Sequence, residues 1–384
     1  MLTKRRIYLP PVSLIGPGAL QDLGDDLKSL PYKTALFVTD PILVKIGVAQ
    51  KVTDVLNSAG INYVLYSDVQ ANPTTKNVYD GLAALTKNQC DFIITLGGGS
   101  PQDCGKAIGI LATNGGDIKD YEGVNLSKLP SLPIIAINTT AGTASEVTIN
   151  YVITDEERHA KMVMVDKNCL VSIAVNDPEL MLGKPADLTA ATGMDALTHA
   201  VEAYVTKGAY RWTDTLALEA IKLISESLEA AVKDGSNLEA RSKMAWGQFI
   251  AGQSFSNAGL GFVHSMAHQL GGVYNMPHGV ANAVLLPHVQ RFNMKSCAAK
   301  LKQVAEAMGV NVDGLTDDQG ALAAIEAIEK LSKAVGIPSG LKSLGVKDVD
   351  VPLMAKNALA DVCALGNPCD ISLQDAILIY QEAM

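Results

Sequence analysis

From residue 34 the chain alternates short apolar runs with helical stretches, and this alternation limits what it can fold into. TALFVTD at 34–40 reads as a strand, and VAQKVTDVLNSAG at 48–60 has helical spacing and a glycine stop. INYVLYSDV at 61–69, the start of DFIITLGGGSPQDCGKAIGILATNG at 91–115, and LPIIAIN at 132–138 read as further strands. Strands separated by helices imply a parallel sheet covered on both faces, with ligands at the carboxyl ends of the strands. VITD, KMVMVD and VSIAVND continue the sheet, with His159 in a solvated turn. After Gly183-Lys184-Pro185 the period changes from two to about 3.6. Helices are expected at about 187–206, 213–233, 237–256, 259–273, 279–293, 298–308, 318–335, 352–361 and 371–383. The expected architecture is an α/β N-terminal domain at 1–183 and an all-α C-terminal domain at 184–384. The first is Rossmann-like in its parallel sheet but lacks G-x-G-x-x-G after its first strand.

A chain of 384 residues is too long for one ordinary core, which agrees with two domains. A net charge of −9 without a long Lys/Arg cluster disfavours nucleic acid or an anionic membrane surface as partner. No run of eighteen apolar residues appears, so no membrane span is expected. The N-terminal MLTKRRIYLPPVSLIG is basic without an apolar h-region, and the chain reads as cytoplasmic. None of the six cysteines forms a C-x-x-C, and they read as reduced structural thiols. RIYLPPVSLIG also suits an edge strand that pairs across a homodimer or higher homo-oligomer.

Gly97-Gly98-Gly99-Ser100 stands where a strong apolar strand gives way to a helix. Backbone amides without side chains can approach a pyrophosphate there, and the helix dipole favours the anion. The plainer reading is a tight turn. Asp40 ends its strand where it can bind an adenosine ribose and repel a 2′-phosphate, favouring NAD over NADP; it can equally cap the helix that follows. Thr139, Thr140 and Thr143 surround a second glycine turn, as cofactor contacts or as a capping segment.

Four of the six histidines fall between residues 195 and 278. Asp195 and His199 are four apart, which puts both on one helical face. His264 and His268 repeat that spacing, and His278 sits in a Pro-His-Gly break. Singly, each has a bland explanation as a surface pair or a satisfied core histidine, the reading preferred for His288. Together, three imidazoles and a carboxylate suit Fe²⁺ or Zn²⁺ rather than Mg²⁺ or Ca²⁺. Spacing does not decide between His264 and His268.

TTAGTASEVT at 139–148, ATGMDALTHAVEAY at 191–204, HSMAHQLGG with PHGVANAVLLPH within 264–288, and GGGSPQD at 97–103 carry a resemblance. Over nearly its full length the chain resembles the iron-dependent (group III) alcohol dehydrogenases. INYVITDEE and KGAYRWTD look most like lactaldehyde-reducing members. AVNDPELMLGKPADLTAATGMDALTHA leans towards members acting on 1,3-propanediol. The resemblance implies metal ligation by Asp195, His199, His264 and His278, with His268 beside the reacting centre as a proton relay. It puts Asp40, Asn72, Gly98, Gly99, Ser100, Thr139, Thr140, Thr143, Asn150 and Lys161 at NAD, and Asn150, Phe255 and Cys363 around the substrate in a cleft between the domains. The implied reaction is NAD-dependent hydride transfer with Fe²⁺, or Zn²⁺, as Lewis acid on a small alcohol or aldehyde of lactaldehyde, propanediol or ethanol type. Three rivals stand beside it. A zinc-dependent glycerol-dehydrogenase-like enzyme would use the same fold. A dehydroquinate-synthase-like enzyme needs a basic cluster for a sugar phosphate, and none lies near the metal segment. A metal-stapled binding protein needs no dinucleotide turn.

Overall fold

The computed structural model describes residues 4–158 and 160–384. His159, expected in a turn, lies outside the described residues. The chain divides into two compact units, Met1–Thr140 with Ala144–Leu182, and Gly183–Met384 with Ala141–Thr143.

In chain order the first unit contains β1 (Val12–Ile15), α1 (Ala19–Ser29), β2 (Thr34–Val38), α2 (Pro41–Lys45), α3 (Val48–Ala59), β3 (Asn62–Tyr66) and α4 (Thr75–Lys87). There follow β4 (Phe92–Gly97), α5 (Gly99–Asn114), β5 (Gly123–Val124), β6 (Ile134–Asn138), β7 (Asn150–Asp155), β8 (Ala160–Val165) and β9 (Ile173–Asn176). Six strands form one sheet in the order β1-β9-β6-β4-β2-β3, and every neighbouring pair is parallel. Its central strands are apolar throughout: each residue of β4 and β6 is buried. Helices on both faces demand such strands, because neither face meets water. Leu20, Leu23 and Leu27 of α1 and Val52 and Leu56 of α3 cover one face. A second, three-stranded sheet has the order β5-β8-β7, and β7 and β8 form its antiparallel hairpin. Of the three runs expected to continue the sheet, VSIAVND does so as β9, between β1 and β6, whereas VITD and KMVMVD leave it for this second sheet.

The second unit holds α6 (Ala186–Val205), α7 (Arg211–Lys233), α8 (Leu238–Ala258), α9 (Phe262–Tyr274), α10 (His278–Ala307), α11 (Asp317–Ala334), α12 (Val351–Ala360) and α13 (Leu373–Glu382). Capping boxes start α11, where Thr316 and Gln319 exchange bonds, and α13, where Ser372 and Asp375 do. Helix α6 is buried on every side from Gly193 to Val205, and it packs on α7, α8 and α10. A helix buried all round must find partners for its polar residues inside the protein. The helices expected at about 279–293 and 298–308 are both present within α10, end to end across a kink. Their join survives as a break at Cys297, whose backbone leaves helical geometry at φ −140° and ψ 26°.

Candidate functional site

Asp195 and His199 project from α6, His264 from the first turn of α9, and His278 opens α10. One ligand atom from each lies within 4.8 Å of the others. The close approach of α10 to α6 explains the placing of His278. A Cβ on Gly279 would stand 2.2 Å from the carbonyl oxygen of Ala191, so only glycine lets the start of α10 come this near. Asp195, His199 and His264 are each at most 5% exposed. The rings of His199 and His264 stack at 4.6 Å between centroids, and His278 lies 5.3 Å from His264.

This is a convergence of acceptors. Burial pushes His199 down to about 4 and His264 down to about 3, against the pull of the Asp195 carboxylate, so both imidazoles are neutral at pH 7. His199 Nδ1 is buried with no hydrogen-bond partner among the described residues. Asn282, one turn into α10, turns its amide nitrogen to Asp195 Oδ1 at 2.7 Å, His278 Nε2 at 3.1 Å and His264 Nε2 at 3.2 Å. An amide nitrogen has two hydrogens and so cannot satisfy three acceptors. Three neutral nitrogens and a carboxylate oxygen fit a divalent transition metal by donor chemistry. His264 Nδ1 meets Glu202 Oε2 at 2.5 Å, which leaves Nε2 for the centre. Burial pushes Glu202 up to about 7, so its charge is costly without a cation near.

His268, one turn past His264, belongs to a neighbouring group with Asp361 and Cys363. Its Nδ1 lies 2.8 Å from Asp361 Oδ2, and its ring stacks on His278 at 5.5 Å and 11°. Burial works to raise Asp361, but His268 and the Cys363 amide outweigh it and hold the carboxyl below its usual range. Burial raises the Cys363 thiol well above its usual value, so it is no thiolate. Phe255 of α8 is buried and stacks on His199 at 4.3 Å.

In the first unit, β4 runs through Gly97 directly into α5, whose N-cap Gly98 offers no side-chain acceptor. The opening amides of α5 are therefore available to a ligand. A Cβ on Gly98 would stand 3.0 Å from the Thr140 side chain, so the GGGS turn and the Thr139-Thr140 turn approach closely. Thr139 N donates to Gly97 O at 3.2 Å. Asp40 caps α2 by accepting from Ile42 N at 2.8 Å and Leu43 N at 2.9 Å. Lys161 Nζ donates to Asn72 Oδ1 at 2.8 Å, which joins two residues 89 apart in sequence. Asn150 begins β7, and its Oδ1 is buried without a partner among the described residues.

The family description "iron-containing alcohol dehydrogenase" matches residues 10–178, and its C-terminal counterpart matches residues 189–384. The chain belongs to the iron-containing alcohol dehydrogenase family. It is 51% identical to a 1,3-propanediol dehydrogenase of Klebsiella pneumoniae over 98% of this chain and 97% of that protein. It is 47% identical to a lactaldehyde reductase of Escherichia coli K12 over 98% and 99% of the two chains. A crystal structure of a 1,3-propanediol oxidoreductase superposes with a TM-score of 0.97 at 50% identity, covering 100% of each chain.

Members of the iron-containing alcohol dehydrogenase family carry out metal-dependent oxidoreduction of alcohols and aldehydes, and so does this chain. Of the two α9 histidines, geometry groups His264 with Asp195, His199 and His278, and groups His268 with Asp361. Glu202, Asn282 and Asp361 escaped the reading of the sequence. Glu202 three residues after His199, and Asn282 four after His278, carry a helical-spacing signal that could have found them. Asp361 is 93 residues from His268, and no local pattern links the two.

Proposed function

We propose that this enzyme is an NAD-dependent dehydrogenase of small primary alcohols and diols, working with Fe²⁺ held by Asp195, His199, His264 and His278. The convergence of those four donors on one buried point carries the reading. The same donors suit Zn²⁺. When bound, the ion supplies a Lewis acid for the substrate oxygen, and NAD takes or gives the hydride. The chain's own residues do the rest. Gly98, Gly99 and Ser100 offer amides to the pyrophosphate. Asp40 accepts from the ribose hydroxyls and repels a 2′-phosphate. Asn72, Thr139, Thr140, Thr143, Asn150 and Lys161 hold the remainder of the cofactor. His268, with Nδ1 held by Asp361, moves a proton at Nε2. Phe255 and Cys363 form apolar walls that suit a short substrate of propanediol, lactaldehyde or ethanol type.

Cysteines without disulfides fit a reducing cytoplasm. The edge strand β1, with Ile7, Leu9 and Val12 exposed near it, supports assembly into a homodimer. No helix among the described residues is long and apolar enough to cross a membrane.

The test is anaerobic reconstitution of chelated protein with Fe²⁺ or Zn²⁺, followed by NADH oxidation with lactaldehyde, 3-hydroxypropanal, glycolaldehyde and acetaldehyde. Turnover of at least one aldehyde that needs added metal is expected. NADPH preferred to NADH, or full activity without metal, would overturn the assignment.

A further inference from the structure

We propose that Glu202 is the positioning carboxylate of the metal centre: ionised, it fixes His264 as the Nδ1–H tautomer, aims Nε2 at the ion and adds the second buried negative charge. This inference rests on the reading of Asp195, His199, His264 and His278 as ligands. Glu202 lies on α6 three residues after His199 and is 1% exposed. Its Oε2 meets His264 Nδ1 at 2.5 Å. The same carboxylate accepts from Val263 N at 2.8 Å and from His264 N at 3.4 Å. It therefore grips both the backbone and the ring of one ligand at the start of α9. Gly261 packs directly on the carboxylate: a Cβ there would come within 2.8 Å of Oε1.

The charge decides what kind of group this is. Among the described residues no lysine or arginine pairs with Glu202; the neutral His264 ring is its hydrogen-bond partner. A buried carboxylate without a fixed cation is expensive. The α9 amides and helix dipole offset part of that cost. A divalent ion on the far side of the imidazole supplies the rest, and Asp195 and Glu202 together then neutralise it. A helix cap alone would need only an acceptor, which glutamine provides. Metal-bound histidines commonly donate their other nitrogen to such a carboxylate, and its loss typically weakens metal binding on the order of 10–100-fold.

The test compares the wild type, Glu202→Gln and Glu202→Asp in the full chain. Each is stripped by chelator and titrated with Zn²⁺ and Co²⁺ against a competing chelator, with the cobalt absorption spectrum recorded and the melting temperature of the metal-free form measured. Glutamine keeps the shape and the backbone acceptor but loses the charge. Glu202→Gln should bind metal about 10–100-fold more weakly, shift the cobalt bands, and melt near the wild type when metal-free. Glu202→Asp, which keeps the charge at shorter reach, should recover part of the affinity. Wild-type affinity and cobalt spectrum in Glu202→Gln would reduce Glu202 to a cap on α9 and overturn the proposal. Should Glu202→Gln not fold, Glu202→Asp decides alone: several-fold weaker binding supports the role, and unchanged binding overturns it. Wild-type protein that takes up neither ion fails differently, because it removes the ligand assignment itself and this inference with it.

Discussion

Two buried polar clusters in this molecule solve opposite problems. In the first unit, the ammonium of Lys106 on α5 is fully buried and surrounded by acceptors. The carbonyls of Ser145, Asn150 and Thr148 lie 2.6, 2.8 and 2.9 Å from its Nζ. Nearby Asp103 accepts from Ser145 Oγ at 2.7 Å and from Val152 N at 3.0 Å. A buried cation here meets ample acceptors of the chain itself, and needs no ligand to offset its charge. In the second unit, Asp195, His199, His264 and His278 point lone pairs at one another, with the Asn282 amide turned to three of them. The first arrangement fastens the 145–152 segment to α5. The second lacks positive charge, and on the proposed reading a cation would complete it. Burial alone therefore does not mark a functional site; an imbalance of donors and acceptors does.

The sharpest attack on this contrast is Asp195→Asn, which removes the one charge among the four donors. Metal content should collapse and turnover should fall by about 10³-fold or more, as loss of several kcal/mol of Lewis-acid stabilisation requires. Retention of stoichiometric metal by that variant would break the comparison. Next comes His268→Ala. Turnover should fall by about 10²–10⁴-fold with metal content intact; metal loss instead would place His268 among the ligands. Lys106→Met probes the first cluster, leaving three carbonyls without their donor and Asp103 without one of the two lysine charges that favour its ionised form. Denaturant unfolding should show about 3 kcal/mol lost, while metal per chain stays at the wild-type value. The smallest effect is expected of Asp40→Ser, which keeps a capping oxygen for α2 and discards the charge. Cofactor preference should move about tenfold towards NADP, or about 1.4 kcal/mol, with stability within about 0.5 kcal/mol. An unmoved preference would make Asp40 a helix cap and nothing more.

Much of this was legible along the chain because it depends on local spacing. Apolar runs such as TALFV and FIITLG announce strands buried on both faces, and the change of period after Gly183 announces helices. Asp195 and His199, four apart, announce a shared face. Other features depended on packing between distant segments. The two helices expected around Cys297 meet at a kink, where that one residue leaves helical geometry. Asp361 reaches His268 across 93 residues and Lys161 reaches Asn72 across 89, and no periodicity encodes such meetings.

By itself, the sequence determined the order of strands and helices, the two halves and the kinds of donor atoms available. These follow from side-chain chemistry and the periods of 2 and 3.6 residues. Spacing left His264 and His268 open, and the tertiary structure groups His264 with Asp195. Both sit on the same face of α9, and only the approach of α10 to α6, at the glycine after His278, sets which turn of that helix meets the carboxylate. It also decided that Glu202 grips His264, because a buried acid finds its partner in space, whatever their separation along the chain.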